Sequence, residues 1–166
     1  MAYSFCMDKN EMSGLHIVEH PLVQHKLTQM RQKDTTSQVF RTLLNEISLL
    51  LAYEVTRELP IKELEIETPL VKTKMPYLSE MPSVVSILRA GNGLLEGVLQ
   101  VIPNARVGHV GLYRDHETLE AVEYYCKFPP LNGGMTIVVD PMLATGNSAC
   151  AALTRDKEEN PASVRF

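Results

Sequence analysis

Between Pro82 and Glu158 one pattern recurs: an apolar run of strand length that ends in a polar turn. Ser83-Val84-Val85-Ser86-Ile87-Leu88 runs into Arg89-Ala90-Gly91-Asn92-Gly93 and then a helix-like segment, Leu94 to Leu99. Val107 to Leu112 ends in Tyr113-Arg114-Asp115, and Met135 to Val139 ends in Asp140-Pro141-Met142-Leu143-Ala144-Thr145-Gly146-Asn147-Ser148 before a helix-like Ala149 to Glu158, stopped by Asn160-Pro161. Runs this continuously apolar suit strands buried on both faces, and their alternation with helices predicts an α/β fold with a parallel sheet. In such a sheet ligands gather at the carboxyl ends of the strands, so the three turns are expected on one edge.

The rest of the chain fits one domain spanning residues 1–166, with no repeat, low-complexity tract or interdomain linker. Residues 1–19 show no periodicity and are expected to be partly mobile. Pro21 suits the first turn of a helix with Val23, Leu27 and Met30 on one face. Thr35-Thr36-Ser37 opens a longer helix whose apolar face is Val39, Leu43, Ile47, Leu50, Leu51 and Val55, a face for the core or a subunit contact. Glu63 to Glu67 alternates as a half-buried strand would, with Pro69 and Pro76 as punctuation after it. Two weaker strand signals, Thr118 to Val122 and Glu123 to Phe128, form an insertion, and Asn132-Gly133-Gly134 turns the chain into the next strand.

A formal net charge of -4 with no Lys/Arg block opposes nucleic acid and acidic membrane surfaces, so any anion site must be local. Cys6, Cys126 and Cys150 are odd in number and far apart, as expected of reduced thiols acting as small buried hydrophobes. No apolar run has membrane-spanning length and the first residues lack the order of an export signal, so the expected location is the cytoplasm.

At the predicted edge, the guanidiniums of Arg89 and Arg114 can each give paired, charge-assisted hydrogen bonds to phosphate oxygens. Thr145-Gly146-Asn147-Ser148 at a helix start offers backbone N–H groups, two hydroxyls and the positive end of the helix dipole to another phosphate. Asp140 just ahead of it is an acceptor, suited to sugar hydroxyls or a metal-bound water. A lone arginine is more often a surface ion pair, and Asp140 could instead cap a helix. Taken together, the three turns suit a sugar phosphorylated at more than one end.

The segment Asp140 to Ser148, "DPMLATGNS", resembles the phosphoribosyl-pyrophosphate (PRPP) loop of type I phosphoribosyltransferases, in the single-carboxylate form of the uracil phosphoribosyltransferase family. The resemblance extends over "EHPLVQHKLTQMR", "AYEVTRELP", "IETPL", "ILRAGNGL", "VGHVGLYRD", "VEYYCKFP" and "VVDPMLATGNSA", and covers residues 19 to 153. It implies a parallel sheet flanked by helices, with an N-terminal helical segment and an inserted β-arm. It also implies transfer of phosphoribosyl from PRPP to uracil, giving uridine monophosphate and pyrophosphate, with Mg2+ escorting the pyrophosphate. Arg89, Arg114 and Asp140 would be catalytic. PRPP would be held by those three with Pro141, Met142, Leu143, Ala144, Thr145, Gly146, Asn147 and Ser148. The family further implies a homodimer or higher homo-oligomer.

Three departures accompany the resemblance. Asn147 stands at the usual second glycine of the phosphate loop, where tolerance of positive φ would matter. Asn92 stands at a usual apolar position. Ser163 to Phe166 opens a strand, whereas family members continue into another strand and a glycine-rich segment that holds uracil. The resemblance therefore implies no uracil-binding or protein metal ligands within residues 1–166, and leaves a non-catalytic PRPP-binding or oligomerisation module as the alternative. His16-Ile17-Val18-Glu19-His20 matches a zinc-peptidase pattern, but Pro21 should push His20 out of helical conformation. His116-Glu117 lacks a second histidine and suits a solvated turn. Gly91-Asn92-Gly93 with Asp115 is a weak dinucleotide signal, since Gly97 comes one residue late. Tyr124-Tyr125 suits strand packing or a subunit contact better than a base platform.

Overall fold

A computed structural model describes residues 14–114, 121–131 and 133–166. The predicted extent of Thr118 to Val122 is thus only partly described. Cys6, Asp115, His116, Glu117, Asn132 and most of the predicted mobile segment lie outside the described residues.

The chain enters through α1 (Pro21–Met30), with Pro21 at the first helical position, where its missing N–H is no loss. His20 precedes it in extended conformation, and its Nδ1 accepts the Leu22 N–H at 3.2 Å. That cap takes His20 off any helical face shared with His16. Helix α2 (Ser37–Val55) begins where the Thr36 hydroxyl accepts the Val39 N–H at 3.3 Å. Its buried face is Leu43, Leu44, Ile47, Ser48 and Ala52, rotated from the expected one, and Val39 is exposed. The cause is α3 (Asn92–Val101), which packs on α2 through glycines. A Cβ on Gly97 would lie 2.6 Å from both the Asn45 carbonyl and Ser48, and one on Gly93 would lie 2.6 Å from Leu44. Opposite Gly97 the approach is close enough that α2 presents Ser48 there, which turns Ser48 inward. The Ser48 hydroxyl is bonded to the Leu94 carbonyl.

β1 (Ile61–Glu67) and β2 (Lys72–Leu78) form a separate antiparallel ribbon. The expected half-buried strand is therefore exposed on both faces except at Ile66. Pro76, expected as punctuation, lies inside β2 opposite Glu63. In a two-stranded ribbon each strand is an edge, so a residue without an N–H is tolerated.

The main sheet runs β5-β4-β3-β6-β7, with β3 (Ser83–Leu88), β4 (Arg106–Arg114), β6 (Met135–Val139) and β7 (Ser163–Arg165) parallel and β5 (Ala121–Lys127) antiparallel to β4. The described part of the insertion thus lengthens the sheet at β4's outer edge. Strand alternation splits the core into two layers. Val84, Ile137 and Val139 meet Ala52, Leu95, Val98 and Ile102 on the α2/α3 side. Val85, Ile87, Val110 and Val138 meet Ala152 of α4 (Asn147–Glu158) on the other. No helix among the described residues is long and apolar enough to cross a membrane.

One polar feature sits at the amino edge of this sheet. Asp156 of α4 is fully buried, and burial pushes its carboxyl up to about 6. The Thr136 hydroxyl favours the charged form, but neither side chain has a hydrogen-bond partner of normal geometry, so burial prevails. A carboxyl that holds its proton more tightly when folded loses stability as pH rises from about 4 through 6. Asp156→Asn is therefore expected to be about 1–3 kcal/mol more stable than the parent at pH 7, with the advantage vanishing near pH 4. Urea denaturation at both pH values checks it; an advantage independent of pH would assign it to something other than this proton.

Candidate active site

The parallel register brings the carboxyl ends of β3, β4 and β6 to one edge, and with them the described parts of the three predicted turns; Tyr113 and Arg114 are the last residues of β4 rather than a turn. Leu88, the last residue of β3, lies opposite Gly111 of β4, and Ser86 lies opposite Val139, the last residue of β6. β4 runs on from Gly111 to Arg114, held by β5 through pairs down to Arg114 and Ala121. The backbone of Arg114 thus stands at the carboxyl end of the strand beside Arg89.

Arg89 opens the turn from β3 into α3, after a cis peptide bond between Leu88 and Arg89. The turn is tight: the Gly91 N–H donates to the Ile87 carbonyl at 2.8 Å and the Gly93 N–H to the Ala90 carbonyl at 3.0 Å. Gly91 is buried, and a Cβ there would sit 2.4 Å from the Val139 carbonyl oxygen and 2.7 Å from the Ser86 hydroxyl. Absence of a side chain therefore lets the arginine turn rest on the end of β6. Since Asp140 follows Val139 directly, Arg89 and Asp140 leave the sheet on either side of that contact. Asn92, predicted as a departure in this loop, accepts a 2.9 Å hydrogen bond at Oδ1 from the buried Ser86 hydroxyl. Ser86 was not among the predicted site residues; a lone hydroxyl in an otherwise apolar strand was its only signal.

Asp140 is half-buried. Burial raises its carboxyl pKa, and the Met142 N–H, donating to Oδ1 at 3.4 Å, works against that rise. Asp140 does not cap α4, because the residue in that position is Gly146, at φ 80°, and no side chain caps the helix. The first-turn N–H groups of α4 lack intrahelical acceptors, as at any helix start. Here they sit beside the exposed Thr145 and Ser148, with no acidic residue in the first turn. Asn147 is helical, so the left-handed conformation belongs to Gly146 and the substitution needs no positive φ. Pro141, Met142, Leu143 and Ala144 are exposed on the way into the loop.

Other candidates serve packing or are exposed rather than pointing to a second site. The glycines of the dinucleotide pattern are used against protein: Gly91 on Val139, Gly93 on Leu44, Gly97 on α2. Cys150, expected to be buried, is exposed in the first turn of α4, on the side away from the Ala149 and Ala152 contacts. Cys126 is half-buried, and burial, followed by the charge of Glu123, raises its thiol pKa. Tyr124 packs over Gly111 and near Tyr113, with ring centroids 6.3 Å apart, which is strand packing.

A solved hypoxanthine-guanine phosphoribosyltransferase from Bacillus anthracis superposes with a TM-score of 0.56 at 14% identity, covering 76% of this chain and 64% of that one. At that identity the likeness concerns the fold alone, and it defines the class: a type I phosphoribosyltransferase fold. The solved AQ2163 protein from Aquifex aeolicus is nearer, with a TM-score of 0.84 and 40% identity over 89% of this chain and 71% of that chain. A protein of Variovorax paradoxus named uracil phosphoribosyltransferase is 59% identical over 157 residues, 93% of this chain and 75% of the relative. With the uracil phosphoribosyltransferase family model matching residues 17–165, the chain belongs to that family.

The contact under the arginine turn can be probed directly. Gly91→Ala is expected to lose about 1–3 kcal/mol of stability, because its Cβ must push the turn off a backbone carbonyl rather than a flexible side chain. Chemical denaturation reads this; a midpoint unchanged from the parent would mean that the turn has room which the contact denies.

Proposed function

We propose that this chain transfers the phosphoribosyl group of PRPP to uracil in pyrimidine salvage. The uracil N1 bond to the anomeric carbon forms as the bond to pyrophosphate breaks, and the N1 proton passes to the departing pyrophosphate or to water. The observation that carries the reading is the seating of the Arg89 turn on the end of β6, beside Asp140 and the uncapped start of α4. Arg89 and Arg114 are assigned to the pyrophosphate. Asp140 accepts from ribose hydroxyls, and residues 141–148 hold the 5'-phosphate through backbone N–H groups and the Thr145 and Ser148 hydroxyls. Negative charge grows on the leaving pyrophosphate in the transition state, so donors already aimed there stabilise it more than the ground state.

Magnesium fits this donor set only as an escort of the pyrophosphate. Among the described residues no three His, Cys, Asp or Glu side chains form a metal cluster. Mg2+ commonly keeps its waters and is held by substrate phosphates, and Asp140 would accept from a metal-bound water rather than ligate the ion. When bound, the ion neutralises charge on the leaving group.

We read residues 1–166 as one domain, acting in the cytoplasm as a homodimer or higher homo-oligomer. The relatives' names favour the enzyme over a non-catalytic binding module.

PRPP with magnesium is expected to raise the melting temperature by several degrees at a hundredfold excess over Kd, worth about 2.7 kcal/mol. Arg89→Ala and Asp140→Ala should lose that protection, and labelled uracil should appear as uridine monophosphate. Protection without product would favour the non-catalytic module; neither protection nor product would remove the proposal.

A further inference from the structure

The Arg89 side chain is exposed, and among the described residues no side chain pairs with its guanidinium. The backbone of the turn therefore fixes only the point from which that side chain reaches out. Two side chains brace that backbone from below. Ser86 lies three residues before Arg89 and Asn92 three after it, and the 2.9 Å bond from Ser86 Oγ to Asn92 Oδ1 closes the base of the turn. Ser86 is fully buried, and its hydroxyl also lies where a Cβ on Gly91 would come within 2.7 Å. The same turn is tied by the Asn92 N–H to the Arg89 carbonyl at 3.3 Å, so displacement of Asn92 would displace the arginine's own peptide.

We propose that the Ser86–Asn92 hydrogen bond is a positioning clasp for Arg89, which sets how firmly this chain holds the pyrophosphate end of its substrate. The inference rests on reading Arg89 as a pyrophosphate ligand. Neither clasp residue touches the ligand; each acts through the turn. The clasp is local to the β3–α3 turn and leaves α4, and hence the 5'-phosphate loop, in place. Its removal should weaken one end of the substrate site and spare the other.

Isothermal titration of pyrophosphate and of ribose 5-phosphate, separately and in magnesium buffer, tests this on the parent, Ser86→Ala, Asn92→Ala and the double variant. Each single change is expected to weaken pyrophosphate by about five- to tenfold, the worth of one hydrogen bond. The double variant should be no weaker than the worse single one, since both remove the same bond. Ribose 5-phosphate should stay within about twofold of the parent. Unchanged pyrophosphate affinity, an equal loss for both ligands, or additive losses would each overturn the clasp. A parent protein that binds neither ligand would overturn the underlying reading instead, a result separate from any effect of the two substitutions.

Discussion

The rest of the site depends on a contact that no side chain makes. The Val139 carbonyl occupies the space where any other residue at position 91 would carry a Cβ. Because β3 lies between β4 and β6, a turn leaving β3 can lean toward either neighbour, and glycine lets it lean onto β6. The consequence is chemical. The residue after Val139 is Asp140, so the lean joins a cation-bearing turn to a carboxylate-bearing one. Gly93 and Gly97 continue the same logic along α3, where α2 closes over the missing side chains. A single helix thereby fixes both the arginine turn and one layer of the core.

An acidic chain can still hold a substrate with two anionic ends if its donors are local. The start of α4 meets that condition: no acidic side chain stands in its first turn, while Arg155 and Lys157 in the last turn complement the opposite end of the dipole. Among the described residues Asp140 carries negative charge to this edge, and burial raises its carboxyl pKa. The proposed division between arginines for one anionic end and helix start for the other would follow from where the strands stop.

Strand ends were legible in the sequence because buried parallel strands leave unbroken apolar runs, and Val84 to Leu88 and Met135 to Val139 stop where those runs stop. The uncapped start of α4 behind Gly146 was legible through its residue types. The face of α2 was not, because its burial is dictated by glycines on another helix, and nothing in the period of α2 itself carries that information. β2 was missed for a related reason: Pro76 argues against a central strand, and only the isolation of the ribbon makes it acceptable. Asn147 raised a question about left-handed backbone that the neighbouring Gly146 answers. Ser86 went unnoticed because its partner, Asn92, lies beyond a turn whose path a linear reading does not give.

The register of α4 links the two edges of the sheet. Ala149, Ala152 and Asp156 are its buried residues, spaced by three and four and so on one face. Ala152 and Asp156 are both at 0% exposure, which leaves the helix little freedom to slide along β3 and β6. An alanine tolerates such a position at no cost in desolvation, whereas a carboxyl does not. Asp156 therefore spends stability at the amino edge, on the same rigid element whose first turn faces the strand ends at the carboxyl edge. A helix held by a buried group near each end presents its N–H groups in a fixed place, and fixed donors are what an anion site built from backbone requires.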